Sequence, residues 1–271
     1  IMYEGSDRLG YEFGTVDEIR SVTPKDIDEA YNTLLTNSVI RINCIGEFDE
    51  EYTEKTFDKM FSGLKRSPVL LEKISPLVPE KRETRVVDEI GDFKKGDICI
   101  GYTLNGTWDG FDDDFRFYLF MSILSDSSLS KLFMNVREKK SLCYFVYASK
   151  ASVNKTFIIQ AGINVSDFAK ARDAVLKEID DCVNGNISDE EFIAAKKSIL
   201  SNYTCNKDLM GFKHAMGLSK YLKTKDMSRF EEKISGLTKS DVMSIASKFK
   251  LDLVYFLHGK ENENGTVTVK F

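Results

Sequence analysis

Residues 130–147 read SKLFMNVREKKSLCYFVY, and this stretch decides how the rest of the chain is read. Leu132, Phe133 and Val136 fall at i, i+1 and i+4, the spacing of one helical face. Arg137 lies near the end of that helix, where a cation complements the backbone dipole. From Tyr144 the residues turn aromatic and β-branched, as strands are. A helix therefore hands over to a strand within seven residues, with a guanidinium at one side of the step and a phenol at the other.

The neighbouring segments extend this alternation. Arg82–Ile90, Asp97–Asn105, Tyr144–Ser152 and Thr156–Val165 alternate or run apolar as strands do, the last two joined by a turn at Val153-Asn154-Lys155. Asp112–Leu124 is helical, Ser125-Asp126-Ser127-Ser128 interrupts it, and Leu129–Lys139 resumes. Asp167–Asn184 carries Phe168, Ala171, Val175, Ile179 and Cys182 as one stripe, ended by Gly185. Ser188 caps a long helix expected to continue brokenly to Lys223, and a last helix leads into the strand Leu251–His258. Strands followed by runs of helices and a returning strand predict an α+β fold, a mostly antiparallel sheet with helices packed on one face.

All four prolines lie in the first eighty residues, three of them within SPVLLEKISPLVPE (67–80). That segment reads as an extended connector, because proline lacks a donor and restricts the residue before it. The two sides of it resemble each other. EIRSVTPKDIDEAYNTLLTNSVIRINCIGEFD and KISGLTKSDVMSIASKFKLDLVYFLHGKEN each place an isoleucine four residues before a threonine and an aspartate three after it. The pairs are Ile19 with Ile234, Thr23 with Thr238 and Asp26 with Asp241. T-x-x-D is a relaxed capping box, and each helix is expected to lead into an apolar strand closed by glycine, Gly46 or Gly259. An interval of about 215 residues recurs between the copies, the mark of duplicated domains. Residues 1–66 are then the C-terminal part of a first domain, 67–80 a linker and 81–271 a second domain. The first copy is expected to be truncated, with roughly 150 of its residues ahead of Ile1.

Composition narrows the function. The chain has 271 residues, 42% hydrophobic and 30% charged, which is a globular balance. A net charge of −5 argues against nucleic acid as a partner, and no apolar run reaches the roughly 20 residues of a membrane span. Cys44, Cys99, Cys143, Cys182 and Cys205 are odd in number, without a C-x-x-C pair, so a reducing cytoplasmic setting is expected. Cys44 and Cys99 sit in apolar strand-like runs and are expected to be buried.

The Arg137-x₆-Tyr144 step after an S-[RK]-L-F helix resembles the second domain of the insulinase/pitrilysin zinc-peptidase family. With FIIQAGI after it, the texture is most similar to non-catalytic bacterial members associated with aminopentanol modification of elongation factor P. The resemblance implies an insulinase-type domain, present twice. It also implies a substrate-facing role for Arg137 and Tyr144, donating hydrogen bonds to a peptide carbonyl or its oxyanion opposite a zinc site. Two positions depart from the family: Ser125-Asp126-Ser127-Ser128 replaces a glycine-rich turn, and Lys131 replaces the arginine of S-R-L-F.

Active members carry H-x-x-E-H, two histidines one helical turn apart with a glutamate as general base. The only histidines here are His214 and His258, 44 residues apart, so no metal ligands and no catalysis are expected from this chain alone. Zinc would sit on a partner or on a missing domain. Asp109 and Asp112-Asp113-Asp114 read as helix-capping acids rather than a cation site. Three functions remain open: a pseudo-peptidase subunit that helps an active insulinase-family partner bind a peptide or protein substrate, the rear part of an active zinc peptidase, and a scaffolding subunit.

Overall fold

The structure is a computed structural model that describes residues 2, 14–69, 83–92, 94–151, 154–222, 227 and 229–259. Most of the expected linker, residues 70–80, lies outside the described residues, as do part of the turn at 153–155 and the expected helix end at 223. The chain divides into two compact units. One comprises Ile1–Met2, Pro76–Lys207 and Asp226–Phe271; the other comprises Tyr3–Ser75 and Asp208–Lys225.

The smaller unit holds α1 (Val16–Ser21), α2 (Pro24–Asn37), α3 (Glu50–Phe61) and a helix at Met210–Leu222 described in its turn below. Thr15 and Thr23 open α1 and α2 with complete capping boxes, and Pro24 occupies the first turn of α2, where its missing N–H goes unused. Arg66 ties the return of the chain to α2 by donating to the carbonyls of Leu35 and Ser38 at 2.9 and 2.7 Å. Residues 39–45, expected as a strand, are irregular here, and Cys44 is exposed rather than buried. A strand needs a neighbour to complete its ladder, and among the described residues this segment has none.

The larger unit is built on β1 (Arg85–Gly91), β2 (Gly96–Leu104), α4 (Gly110–Met121), β3 (Phe145–Ala151), β4 (Thr156–Ile163), α5 (Phe168–Val183) and α6 (Asp189–Asn206). After α6 the chain leaves for α7 (Met210–Leu222) of the smaller unit, then returns as α8 (Phe230–Gly236), α9 (Lys239–Ala246) and β5 (Phe249–Gly259). The strands form one sheet in the order β1-β5-β2-β4-β3, with only β1 and β5 parallel, so the mostly antiparallel α+β expectation holds.

Strand alternation gives the sheet two unlike faces. Ile98, Ile100 and Tyr102 of β2, Phe157, Ile159, Ala161 and Ile163 of β4, and Val254 and Phe256 of β5 are buried in a single core with the helices. Phe117, Phe120, Phe157 and Phe249 form its centre, with ring centroids 4.9–6.5 Å apart. The register puts Cys99 opposite both Gln160 and Tyr255, and Asp97 opposite both Gly162 and Leu257, so these residues share the other face.

Two helical stretches differ from expectation. Ser122–Asp126 and Leu132–Glu138 are π-helical, with Ser127 N–H donating to Ser122 and Lys139 N–H to Met134, each five residues back. The first is tied to the sheet: Ser125 Oγ accepts the outward N–H of Ala148 on β3 at 2.8 Å. Ser125 of the interrupting turn thus caps an edge strand. Lys131 is almost fully buried and donates to Asn186 O at 2.7 Å while pairing with Glu191 at 3.0 Å, which pins the same turn to the start of α6.

The aspartates of α4 do more than cap it. Asp109 stands at the N-cap without a side-chain cap bond. Fully buried Asp113 instead accepts Asp109 N–H at 2.7 Å, Arg116 at 3.0 Å and Lys248 at 2.5 Å, while Arg116 also reaches Asp241 at 3.0 Å. Asp112 pairs with Lys233, and Asp114 with Lys155. The reason is partly tertiary: Arg116 is a neighbour on α4 itself, but the link between α9 and β5 brings Lys248, and α9 brings Asp241, to a carboxylate that sequence spacing alone places in a first turn.

Candidate functional site

Arg137 and Tyr144 are positioned by the end of the second π-helical stretch and the start of β3. Leu132 and Val136 anchor the stretch in the core, which leaves Arg137 pointing away with 43% of its side chain exposed. The turn between them closes on Arg137 O, which accepts Ser141 N–H at 3.0 Å, and on Val136 O, which accepts Leu142 N–H at 3.2 Å. Ser141 takes a left-handed φ of 51°, the usual way a helix terminates. Tyr144 then enters the sheet by donating its N–H to Gly162 O at 3.0 Å.

The Tyr144 ring lies across Gly162. A β-carbon at residue 162 would overlap the Tyr144 phenol and the Phe145 ring, so only glycine permits this seat. Lys95 Nζ stands 4.3 Å from the ring centre, and the Tyr144 hydroxyl reaches Asp97 Oδ1 at 3.4 Å. Partial desolvation and the Asp97 carboxylate hold the phenol above its ordinary pKa, which keeps its proton available for donation. Arg137 stacks its guanidinium over Phe133 at 5.1 Å and approaches Glu138 at 3.6 Å. An exposed pair of that length binds weakly, so the guanidinium is free to exchange Glu138 for a ligand. Each group thus makes its own contacts, and both remain near half exposed.

Below Tyr144, on the sheet face turned away from the helices, lies a pocket of about 220 Å³. Asp97, Cys99, Phe145, Gln160, Tyr255 and Leu257 line it. Neither Asp97, Lys95, Gly162 nor the pocket was identified from sequence. The glycine of FIIQAGI was the one available signal, since an isolated glycine inside a strand marks a close approach. Burial pushes the thiol of Cys143, beside the site, up to about 11 despite nearby Arg137, which disfavours the reactive thiolate.

Gly162→Ala tests this seating. The added methyl is expected to lift the Tyr144 ring off the strand while the core on the opposite face stays intact. Tyr144 fluorescence and its ring NMR shifts should change with less than about 1.5 kcal/mol of stability lost. An unchanged ring environment would mean that Tyr144 does not rest on Gly162.

Neither histidine stands in a set of zinc ligands among the described residues. His258 is buried with both ring nitrogens engaged, one 2.8 Å from Gly259 O and the other 2.9 Å from Asp88 Oδ1. His214 is exposed on α7. Among the described residues no three His, Cys, Asp or Glu side chains converge as metal ligands.

Residues 21–199 match the family described as "Peptidase M16 inactive domain". The chain is similar to a Bacillus subtilis (strain 168) protein called "Probable inactive metalloprotease YmfF", 27% identical over 256 residues, covering 92% of this chain and 58% of that one. In structure it resembles a conserved protein from Enterococcus faecalis V583, with TM-score 0.85 at 21% identity over 97% of this chain and 62% of that chain. It also resembles a peptidase M16 inactive domain from Pseudomonas fluorescens, with TM-score 0.70 at 17% identity over 93% of this chain and 61% of that chain. The chain thus spans about three-fifths of the length of these relatives. No helix among the described residues is long and apolar enough to cross a membrane. With the match covering well over half of its length, the chain belongs to the insulinase-type M16 peptidase family, in the group of its inactive domains.

Proposed function

We propose that this chain is a non-catalytic insulinase-family domain that presents Arg137 and Tyr144 to a peptide held against a zinc-bearing partner half. The observation that carries this is the pair of half-exposed donors, Arg137 near the end of the second π-helical stretch and Tyr144 just before β3, each held only by weak contacts of its own. A guanidinium and a protonated phenol suit a peptide carbonyl and stabilise it further as it gains negative charge. The inactive-metalloprotease relative and the lack of a ligand set among the described residues favour help over catalysis. The division at residues 67–80 and a cytoplasmic setting belong to the same reading. So does a heterodimer with an active family member.

The experiment is peptide turnover by the assembled complex carrying Arg137→Ala with Tyr144→Phe. A fall of roughly 10–100-fold in kcat/KM is expected, the range for lost oxyanion-type donors. Unchanged turnover in a complex that still assembles would leave this chain a scaffold.

A further inference from the structure

Most described cations of the larger unit are held by a carboxylate, as Arg116, Lys131, Lys155, Lys233 and Lys248 are. Lys94, Lys95, Lys139 and Lys140 differ. All four are exposed, and among the described residues none has a carboxylate within ion-pair distance. They belong to two short connections that differ from the rest of the chain in charge. The connection between β1 and β2 carries Lys94 and Lys95 against one acid, Asp92. Residues 139–144, between the second π-helical stretch and β3, carry Lys139 and Lys140 against none.

The two connections meet at Tyr144. Lys95 Nζ lies 4.3 Å from the centre of its ring. Gly96, the next residue, opens β2 opposite Ile163, one position beyond the Gly162 carbonyl that accepts Tyr144 N–H. Lys139 and Lys140 occupy the turn closed by Ser141 N–H on Arg137 O and by Leu142 N–H on Val136 O. Asn135 Oδ1 accepts from Lys139 Nζ at 3.0 Å and steers that side chain. Asp97 and Glu138 stand beside them, but each already faces a donor, the Tyr144 hydroxyl at 3.4 Å and Arg137 at 3.6 Å. A local excess of cations in a chain of net charge −5 draws anionic groups to this one end of the sheet.

We infer that the Lys94–Lys95 and Lys139–Lys140 connections bind acidic side chains, so that the substrate class is a peptide with Asp or Glu beside the carbonyl that Arg137 and Tyr144 face. The placing of that carbonyl rests on the functional reading above; the charge preference needs no partner half. Lysine suits the task, because a point charge on a flexible stem follows carboxylates at varied positions. Each exposed pair contributes little and is screened by salt, so the preference comes from several lysines acting together. A nucleic acid fits less well, since Asp97 and Glu138 interrupt the cations and the chain as a whole repels a long polyanion.

The test is fluorescence anisotropy of labelled peptides identical except for Glu, Gln or Lys at the same positions, titrated with the full chain. The Glu peptide is expected to bind about 10-fold more tightly than the Gln peptide at low salt, and the ratio to shrink at about 0.3 M salt. Lys94→Gln, Lys95→Gln, Lys139→Gln and Lys140→Gln together should bring the ratio to about 1 with urea unfolding unchanged. Lys197→Gln, at an exposed lysine on α6, should leave it as it was. Equal binding of the peptides, no binding of any, or a Glu preference that survives the fourfold variant overturns the inference. Tighter binding of a labelled oligothymidylate of matched charge also overturns it. Turnover by the complex with Arg137→Ala and Tyr144→Phe reports on the functional reading alone. Reduced turnover without a Glu preference overturns this inference and leaves that reading; a lysine-dependent Glu preference with unchanged turnover does the reverse.

Discussion

Asp113→Ala is expected to cost about 3 kcal/mol of folding stability, against under about 1 kcal/mol for Asp112→Ala one position before it. The contrast is the point. Asp113 is fully buried between Arg116, Lys248 and the Asp109 N–H, whereas Asp112 meets Lys233 in solvent. Removing a buried anion leaves its cations and a backbone donor without a partner. Because Arg116 and Lys248 retain some solvent contact, the loss falls at the lower end of the range for broken buried pairs. Thermal unfolding should shift by roughly 6–12 °C for a domain of this size. Equal shifts for the two variants would mean that the network is ornamental.

The same cluster sets an acid limit. Burial raises the carboxyl of Asp113, but hydrogen bonds from Asp109, Lys248 and Arg116 outweigh it and hold the pKa below the ordinary value. Asp241 behaves likewise, burial being outweighed by Thr238 and Arg116. A depressed native pKa means that the unfolded state takes up the proton first. The stabilisation is therefore complete above the unfolded value of about 3.9 and is lost as pH falls through the lower native one. Asp113→Ala should flatten that part of the stability–pH curve.

Phe157→Ala is expected to cost about 3–5 kcal/mol, the usual range for emptying a buried phenylalanine. Phe157 is completely buried, stacks on Tyr102 with centroids 4.8 Å apart, and meets Phe249 and Phe120 at 5.0 and 5.5 Å. These partners come from β2, β5 and α4, so the vacated space cannot collapse without moving both layers of the unit. Urea unfolding measures the loss, with half-exposed Ile193 on α6 as the control at under about 1 kcal/mol when changed to alanine. A loss below about 1.5 kcal/mol at Phe157 would show that this aromatic centre is loosely packed.

The elements of the larger unit were legible because their signals are local. Thr238 and Asp241 form the expected box, Ser188 caps α6 with Glu191, and Gly185 follows α5 with a left-handed φ of 79°. Each depends on side chains within four residues, which sequence displays directly. The π-helical turns were not legible, since Ser125 leaves its helix for Ala148, 23 residues away. Nor was the strand expected at 39–45 secured by its apolar residues, because pairing needs a second strand.

The candidate site divides along the same line. Sequence by itself determined the positions of Arg137 and Tyr144, a helix end and a strand start seven residues apart, and the family to which that step belongs. Only the tertiary structure decided what surrounds them. Gly162 lies across a strand pairing from Phe145, and Asp97 lies across another from Gly162. Together they seat the Tyr144 ring and fix its hydroxyl beside the open face. Short-range capping and periodicity are written in adjacent residues, whereas a cross-strand neighbour is set by register, and register is decided only when the whole sheet assembles.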